Sequence, residues 1–391
     1  MRVNDNKLLL LSLLGMLTAM APVVNNMFSP CMPVLARAMS CDTAAVQLCL
    51  TASMLGLALG QIVIGPLSDR YGRRGPLLWS MALFVVTSVA LLLVNGIEPI
   101  IGLRLLQGLG AGGGVVISRS IATDMSSGSQ LMKMLAAINV INGVMPIVTP
   151  MLGGFLTQQA GYAGPLAGML VVGVVLTLGC WFLNETLTAD RRTRMSVKDT
   201  ISLFGRVASN REYLFTIFHQ GGALAVLFGN IAATPFIVQK YGLGPESIGL
   251  ALGVNGIFTA IGAGCAPMLG DSLRGIKITA VGLLVLAVAQ FAVLWLDLGL
   301  WPYEVLVCLM LVFVGVTLTS SSSHAMDCAR EQAGTASALL GAVGFVVGAV
   351  VAPLMGLGNL LHSAAVCYLC AAVMAALCAL AVAQAHKRTE K

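Results

Sequence analysis

Apolar residues run through this chain in long blocks, and charged residues collect between the blocks. A bilayer-crossing helix takes about 20 apolar residues. Twelve blocks meet that length, over roughly 7–29, 45–66, 76–95, 98–122, 132–157, 164–183, 213–237, 247–269, 276–296, 303–323, 335–357 and 363–383. The even number returns both ends of the chain to one side. The longest connection separates six blocks from six. The expected fold is therefore an all-α integral membrane protein with twelve transmembrane helices: one six-helix bundle over 1–183, a charged linker over 184–212 and a second bundle over 213–391. No small-residue cleavage site follows the first block, which reads as a retained helix. Within the linker, residues 196–208 read either as an amphipathic helix on the membrane surface or as a solvated connection.

Composition agrees with lipid as the solvent. Of 391 residues 58% are hydrophobic and 10% are charged, against roughly 25% charged in soluble domains, and the mean hydropathy is +0.91. The net charge of +6 could suggest nucleic acid, but its placement explains it better. All Lys and Arg except Arg37, Arg104 and Lys240 fall on one side of the expected spans. That bias puts both termini in the cytoplasm. Cys367 and Cys370 lie inside a continuous apolar block, which argues against a redox pair. Cys31 and Cys41 either bridge or remain free thiols.

The two halves echo each other. Pro66-Leu67-Ser68-Asp69 recurs as Pro267-Met268-Leu269-Gly270-Asp271, Asp124 recurs as Asp327, and Pro150-Met151-Leu152-Gly153 recurs as Pro353-Leu354-Met355-Gly356. The common shift argues for duplication of a six-helix unit, with a binding site expected between the halves near the midplane.

Between the second and third blocks the chain reads Gly65-Pro66-Leu67-Ser68-Asp69-Arg70-Tyr71-Gly72-Arg73-Arg74. Gly65 and Pro66 are expected to end the second helix, because proline cannot donate to the hydrogen-bond ladder. Gly72 then allows the turn, and Arg73 is expected to pair with Asp124 at the end of the fourth span. This G-x-L-x-D-R-x-G-R pattern between two spans closely resembles the signature loop of the major facilitator superfamily of secondary transporters.

Further motifs extend the resemblance. Arg104-x-x-Gln107-Gly108-x-Gly110 is similar to the superfamily's span-4 motif, whose Arg is tied to substrate or proton coupling. Asn142-Gly143 with Pro146, Pro150, Gly153 and Gly154 is similar to the antiporter motif of drug–proton exporters, although Thr149 stands where glycine is usual. The stretch Asn25-Asn26-Met27-Phe28-Ser29-Pro30-Cys31-Met32-Pro33 resembles the bicyclomycin-resistance branch of those exporters, where an Asp is common at the position of Asn26. No Asp or Glu falls mid-span. Asp42, Glu98, Glu246, Asp297 and Glu304 are all expected outside the membrane.

The residues themselves suggest a cavity. A buried Arg costs about 2.5–3.5 kcal/mol at mid-helix, so Arg104 either faces a cavity or partner, or snorkels toward Glu98. Asn139, Asn142, Pro146 and Pro150 share one helical face, which either lines a cavity or accommodates a neighbouring helix. His219 is either a hydrogen-bonded packing residue or a proton-coupling group. With Asn25, Asn26, Asn230 and Asn255, these are the candidate cavity residues. Gly65, Asp69, Arg70, Gly72, Arg73, Asp124, Pro146 and Pro150 are the candidates for gating and coupling.

No phosphate-binding Gly-x-x-x-x-Gly-Lys loop, nucleophile–base set or metal cluster stands out. The expectation is a monomeric secondary transporter of the bacterial inner membrane, with no enzymatic activity, cofactor, metal or nucleic-acid partner. By the resemblance it exports small organic molecules in exchange for protons by alternating access. The alternative is a dedicated carrier for a nucleoside, sugar or peptide.

Overall fold

A computed structural model describes residues 7–126, 128–188, 192, 205, 209–329 and 333–389. The chain divides into two compact units, Met1–Thr200 and Ile201–Lys391. The first holds α1 (Lys7–Thr18), α2 (Met20–Asn25), α3 (Met32–Ala38), α4 (Thr43–Tyr71), α5 (Arg74–Leu93), α6 (Ile97–Met125), α7 (Gly128–Ala160) and α8 (Ala163–Trp181). The second holds α9 (Arg211–Lys240), α10 (Pro245–Cys265), α11 (Ser272–Trp295), α12 (Leu300–Cys328), α13 (Ala333–Leu354) and α14 (Leu360–Thr389).

Among the described residues ten helices are long and apolar enough to cross a membrane. A pair bent by 49°, Leu8–Thr18 with Met20–Ala38, makes an eleventh span, and Leu339–Leu354 is a shorter apolar helix. Trp79, Val86, Leu93 and Val171 on the first unit, and Val281, Val285, Leu377 and Leu380 on the second, are exposed. Such rows of apolar side chains suit acyl chains and not water. The expected surface helix over 196–208 lies outside the described residues, Gly205 excepted.

Two expected boundaries are corrected. The first span is not continuous. Pro22 has no N–H to give the Thr18 carbonyl, and the Thr18 hydroxyl bonds back to Leu14 O (2.8 Å) and to Ser118 Oγ (2.9 Å). The helix therefore breaks there. Conversely, Gly65-Pro66 does not end the second span. α4 runs through Pro66 to Tyr71, because Gly65 has no Cβ to crowd the proline ring and only one backbone bond is forfeited. The break comes at Gly72, whose φ of +95° suits glycine, so the charged loop shrinks to a turn at Gly72-Arg73.

Glycines set the helix spacing that positions the site. Gly56 and Gly60 on α4 lie against the Leu105 and Leu109 carbonyls of α6, while Gly108 and Gly112 lie against the Ser53 and Leu57 carbonyls of α4. A side chain at any of these positions would meet backbone, so the two helices touch main chain to main chain. The same arrangement recurs about 200 residues on, where Gly262 of α10 faces the Val312 carbonyl and Gly315 of α12 faces the Thr259 carbonyl. Cys31 and Cys41 are free thiols, as are Cys367 and Cys370.

Candidate functional site

The charged turn is built around two residues. Arg73 is buried, and its Nε donates to Asp124 Oδ2 at 2.8 Å, its Nη1 to Ser68 Oγ at 2.9 Å and also to Asp69. The pairing of Arg73 with Asp124 expected from the sequence is thus present. The second organiser, Glu185, was missed because it falls in the charged linker. Its carboxylate accepts from the backbone N–H of Arg73 (2.8 Å) and Arg74 (3.2 Å), and so caps α5. Burial alone would raise the Glu185 carboxyl, but the N–H groups of Arg73, Leu187, Arg74 and Thr186 outweigh it and hold the group below its ordinary value. Arg74 donates to Trp181 O at 2.9 Å, and Arg70 stacks 5.4 Å from the Tyr71 ring. Gly65 lies against Val116 of α6.

Arg104 is fully buried in the first unit. Its Nη1 donates to Gln107 Oε1 at 2.6 Å, and its Nη2 donates to Val24 O at 2.7 Å and Ser53 Oγ at 3.2 Å. The guanidinium also lies 4.2 Å from the Phe28 ring centre. Local structure supplies each partner. The chain loosens into turns at Asn26–Phe28, where Val24 O becomes available, and the glycine contacts bring Ser53 of α4 beside α6. Asn25 accepts from Ser53 Oγ at 2.8 Å, and Gln107 Nε2 donates to Ser88 Oγ at 2.8 Å. No carboxylate is among these partners, and Glu98 is exposed, which excludes the snorkelling alternative. Asn26 is half-buried and stands outside this network.

The second unit gathers a polar chain from four helices. Thr234 Oγ1 donates to Asn230 Oδ1 at 2.6 Å, so the 2.8 Å contact between Thr234 and Tyr303 is donated by the tyrosine, and the 3.4 Å contact between the tyrosines by Tyr368. Asn255 Nδ2 donates to Asn230 at 3.3 Å, and Cys308 Sγ donates to Asn255 Oδ1 at 3.2 Å. Asn230 and Asn255 are therefore brought together, joined by Thr234, Tyr303 and Tyr368, which the sequence reading missed. Beside this chain lies Glu304. Both its carboxylate oxygens are buried without a hydrogen bond, although the Asn255 amide lies alongside. α12 begins at Leu300, so Glu304 stands in the second turn of this apolar helix with its carboxylate buried in the unit.

The remaining candidates stand apart. His219 bonds Ala375 O (2.9 Å) and contacts Thr279 Oγ1 (3.5 Å), the bonds of a residue that packs α9 against α14 and α11. On α7, Asn139 is exposed, Asn142 and Pro146 are half-buried and Pro150 is buried, and none joins the Arg104 network. A groove of about 830 Å³ beside α13 and α14, lined by Val346, Val350, Val351, Leu354 and Val366, is apolar and shares no residue with the polar chain.

Residues 14–353 match the family model of the Major Facilitator Superfamily. The chain belongs to that superfamily. It is 32% identical over 367 residues to an uncharacterized MFS-type transporter, YdgK of Bacillus subtilis, spanning 91% of this chain and 90% of the relative. It is 26% identical over 362 residues to a bicyclomycin resistance protein homolog of Haemophilus influenzae, spanning 88% and 87%. Among solved structures, the nucleoside transporter NupG shares the fold with a TM-score of 0.74 at 12% identity, over 96% of this chain and 99% of that one. As a member of the major facilitator superfamily the protein is a membrane transporter and not an enzyme. Its more distant relatives include proteins named for bicyclomycin resistance and multidrug resistance.

Proposed function

We propose that this major facilitator protein exports small organic molecules in exchange for protons by alternating access, and that Glu304 takes and releases the proton. One observation carries the coupling: Glu304 holds both carboxylate oxygens away from water with only the Asn255 amide alongside, while the hydroxyls of Thr234, Tyr303 and Tyr368 are committed to other partners. An unpaired buried carboxylate is costly, so the site favours a proton or a cationic group next to it. Asn26 cannot titrate, and His219 is occupied in helix packing, which leaves Glu304 as the group best suited to the role. The drug-resistance names of two relatives support organic molecules as the cargo.

The test is transport in proteoliposomes with a panel of labelled drugs and metabolites, with and without an imposed pH gradient. The expected result is gradient-driven movement of organic molecules that Glu304→Gln abolishes, while substrate exchange at equal pH persists. Gradient-driven transport that survives Glu304→Gln would remove Glu304 from the coupling. Saturable movement of a single nucleoside, sugar or peptide, indifferent to the gradient, would establish a dedicated carrier instead.

A further inference from the structure

A second cluster of titratable side chains lies at the other end of α12, away from Glu304. Three helix ends meet there: the first turn of α9 with Glu212, the last turns of α12 with His324 and Cys328, and the end of α14 with His386. The donor atoms of Glu212, His324 and Cys328 all lie within 4.8 Å of one another. Glu212 Oε1 is 3.0 Å from His324 Nε2 and 2.8 Å from His386 Nδ1, and the two imidazole rings are 6.0 Å apart at 62°. From these residues we propose a binding site for a zinc-type divalent transition metal ion, with Glu212, His324 and Cys328 as its ligands and His386 hydrogen-bonded to Glu212 as an outer support.

Four features carry the assignment. The first is spacing. His324 and Cys328 are four residues apart on one helix, so both side chains fall on the same face. The second is an unsatisfied nitrogen. His324 Nε2 is buried and close to Glu212 Oε1, yet it makes no hydrogen bond of proper geometry. Two atoms so close without the directed bond that a proton would make fit two ligands of one ion better than a donor and an acceptor. Third, the sizes agree. Zinc bonds of about 2.0–2.1 Å to nitrogen and oxygen put tetrahedral ligand atoms about 3.3 Å apart. The observed 3.0 Å matches that edge, and the 4.8 Å limit asks for a side-chain adjustment of about an ångström at the thiol.

The fourth feature is support around the ligands. Ser272 Oγ lies 3.4 Å from His324 Nδ1, the outer contact that fixes the tautomer and orientation of a ligating imidazole. Asn210, the cap of α9, donates from its side chain to Cys328 O at 3.2 Å and so ties the Glu212 turn to the Cys328 turn. The donor set selects the ion. A thiolate with an imidazole and a carboxylate favours zinc or its neighbours over the oxygen-seeking magnesium and calcium. Glu212 and Cys328 are each half-buried, which leaves a path for the ion. The cluster escaped the sequence reading because only the His324–Cys328 pair is close along the chain.

The experiment uses the full-length protein in detergent, stripped with a chelator and then dialysed against zinc at neutral pH. We expect one zinc per chain by elemental analysis, and a melting temperature raised by saturating zinc as any ligand of the native state raises it. Cys328→Ser and His324→Asn should each weaken zinc binding by at least roughly 10–100-fold, the loss that even outer-shell partners cause. Cobalt in place of zinc should give the intense thiolate-to-metal absorption of a Cys ligand in wild type, a readout that needs no variant to fold. Zinc no higher than background, no thiolate band with cobalt, or zinc affinity unchanged in both variants would each overturn the proposal.

Discussion

Arg104 and Glu304 sit in the early turns of α6 and α12, helices that pack through matching glycine pairs in the two units, and they are treated in opposite ways. Arg104 is surrounded by fixed dipoles: a backbone carbonyl, an amide, a hydroxyl and a ring face. Glu304 has tyrosines and asparagines beside it whose donors point to one another. A guanidinium held this way cross-links three helices and has no alternative state at neutral pH. A buried carboxylate with only one amide beside it is easily changed by a proton. The comparison teaches that the charge doing structural work is the one with partners, and that the charge without them is the candidate for function.

The largest expected effect separates these two roles. Arg104→Met leaves Gln107, Val24 and Ser53 without their donor and should lower stability by about 3–5 kcal/mol, since each buried acceptor left unpaired costs about 1–3 kcal/mol. Arg104→Lys keeps the charge but not the planar fork, and should lose about 1–3 kcal/mol. Thermal unfolding in detergent reads both. Glu304→Gln should leave the melting temperature unchanged or raise it. A loss as large as that of Arg104→Met would mean that Glu304 is structural too.

The duplication can be tested next. Gly112→Val and Gly315→Val force a side chain against the Leu57 and Thr259 carbonyls, and each should cost about 1–3 kcal/mol or more by overpacking. Equal losses would show that the two crossings are equivalent; a loss in one only would break the parallel.

The turns that begin α5 and α11 differ in a smaller, measurable way. Gly72 and Gly270 both have positive φ, at +95° and +74°. Alanine at either should cost about 1–3 kcal/mol for that sparsely populated conformation. At Gly72 the added Cβ would also come to 2.5 Å from Glu185 Oε2, whereas nothing lies within 4 Å at Gly270. Gly72→Ala should therefore be the more damaging in a melting assay. The cause lies in the caps: Asp271 caps α11 from its own chain neighbourhood, while α5 takes its cap from distant Glu185.

The smallest effect is a pH dependence. The Glu185 carboxyl is held below its ordinary value in the folded state, so its stabilising share is full above the unfolded value of about 4.3 and is lost as pH falls through the lower folded value. The melting-temperature gap between wild type and Glu185→Gln should be open at neutral pH and close below about pH 4. A gap of constant size would show that the carboxylate charge is not what caps α5.

Much of this was legible in the chain. Block length and the side bias of Lys and Arg gave the helices. The charged turn gave Arg73 with Asp124. The features missed share one physical cause, which is that they depend on where a helix end falls in space. Glu304 reads as an acid at a span end until α12 packs its carboxylate beside Asn255 and Tyr303. Glu185 reads as one more linker charge until α8 delivers it to the start of α5. The Glu212, His324 and His386 contacts join residues far apart in sequence, and no periodicity announces them.

The measurement that bears most directly on Glu304 needs no substrate. Infrared difference spectra of the purified protein, recorded as pH is stepped, report protonated carboxyl groups through their C=O stretch. The account predicts a protonated-carboxyl band in wild type that titrates, survives Arg104→Lys and disappears in Glu304→Gln. The same band persisting in Glu304→Gln would contradict it.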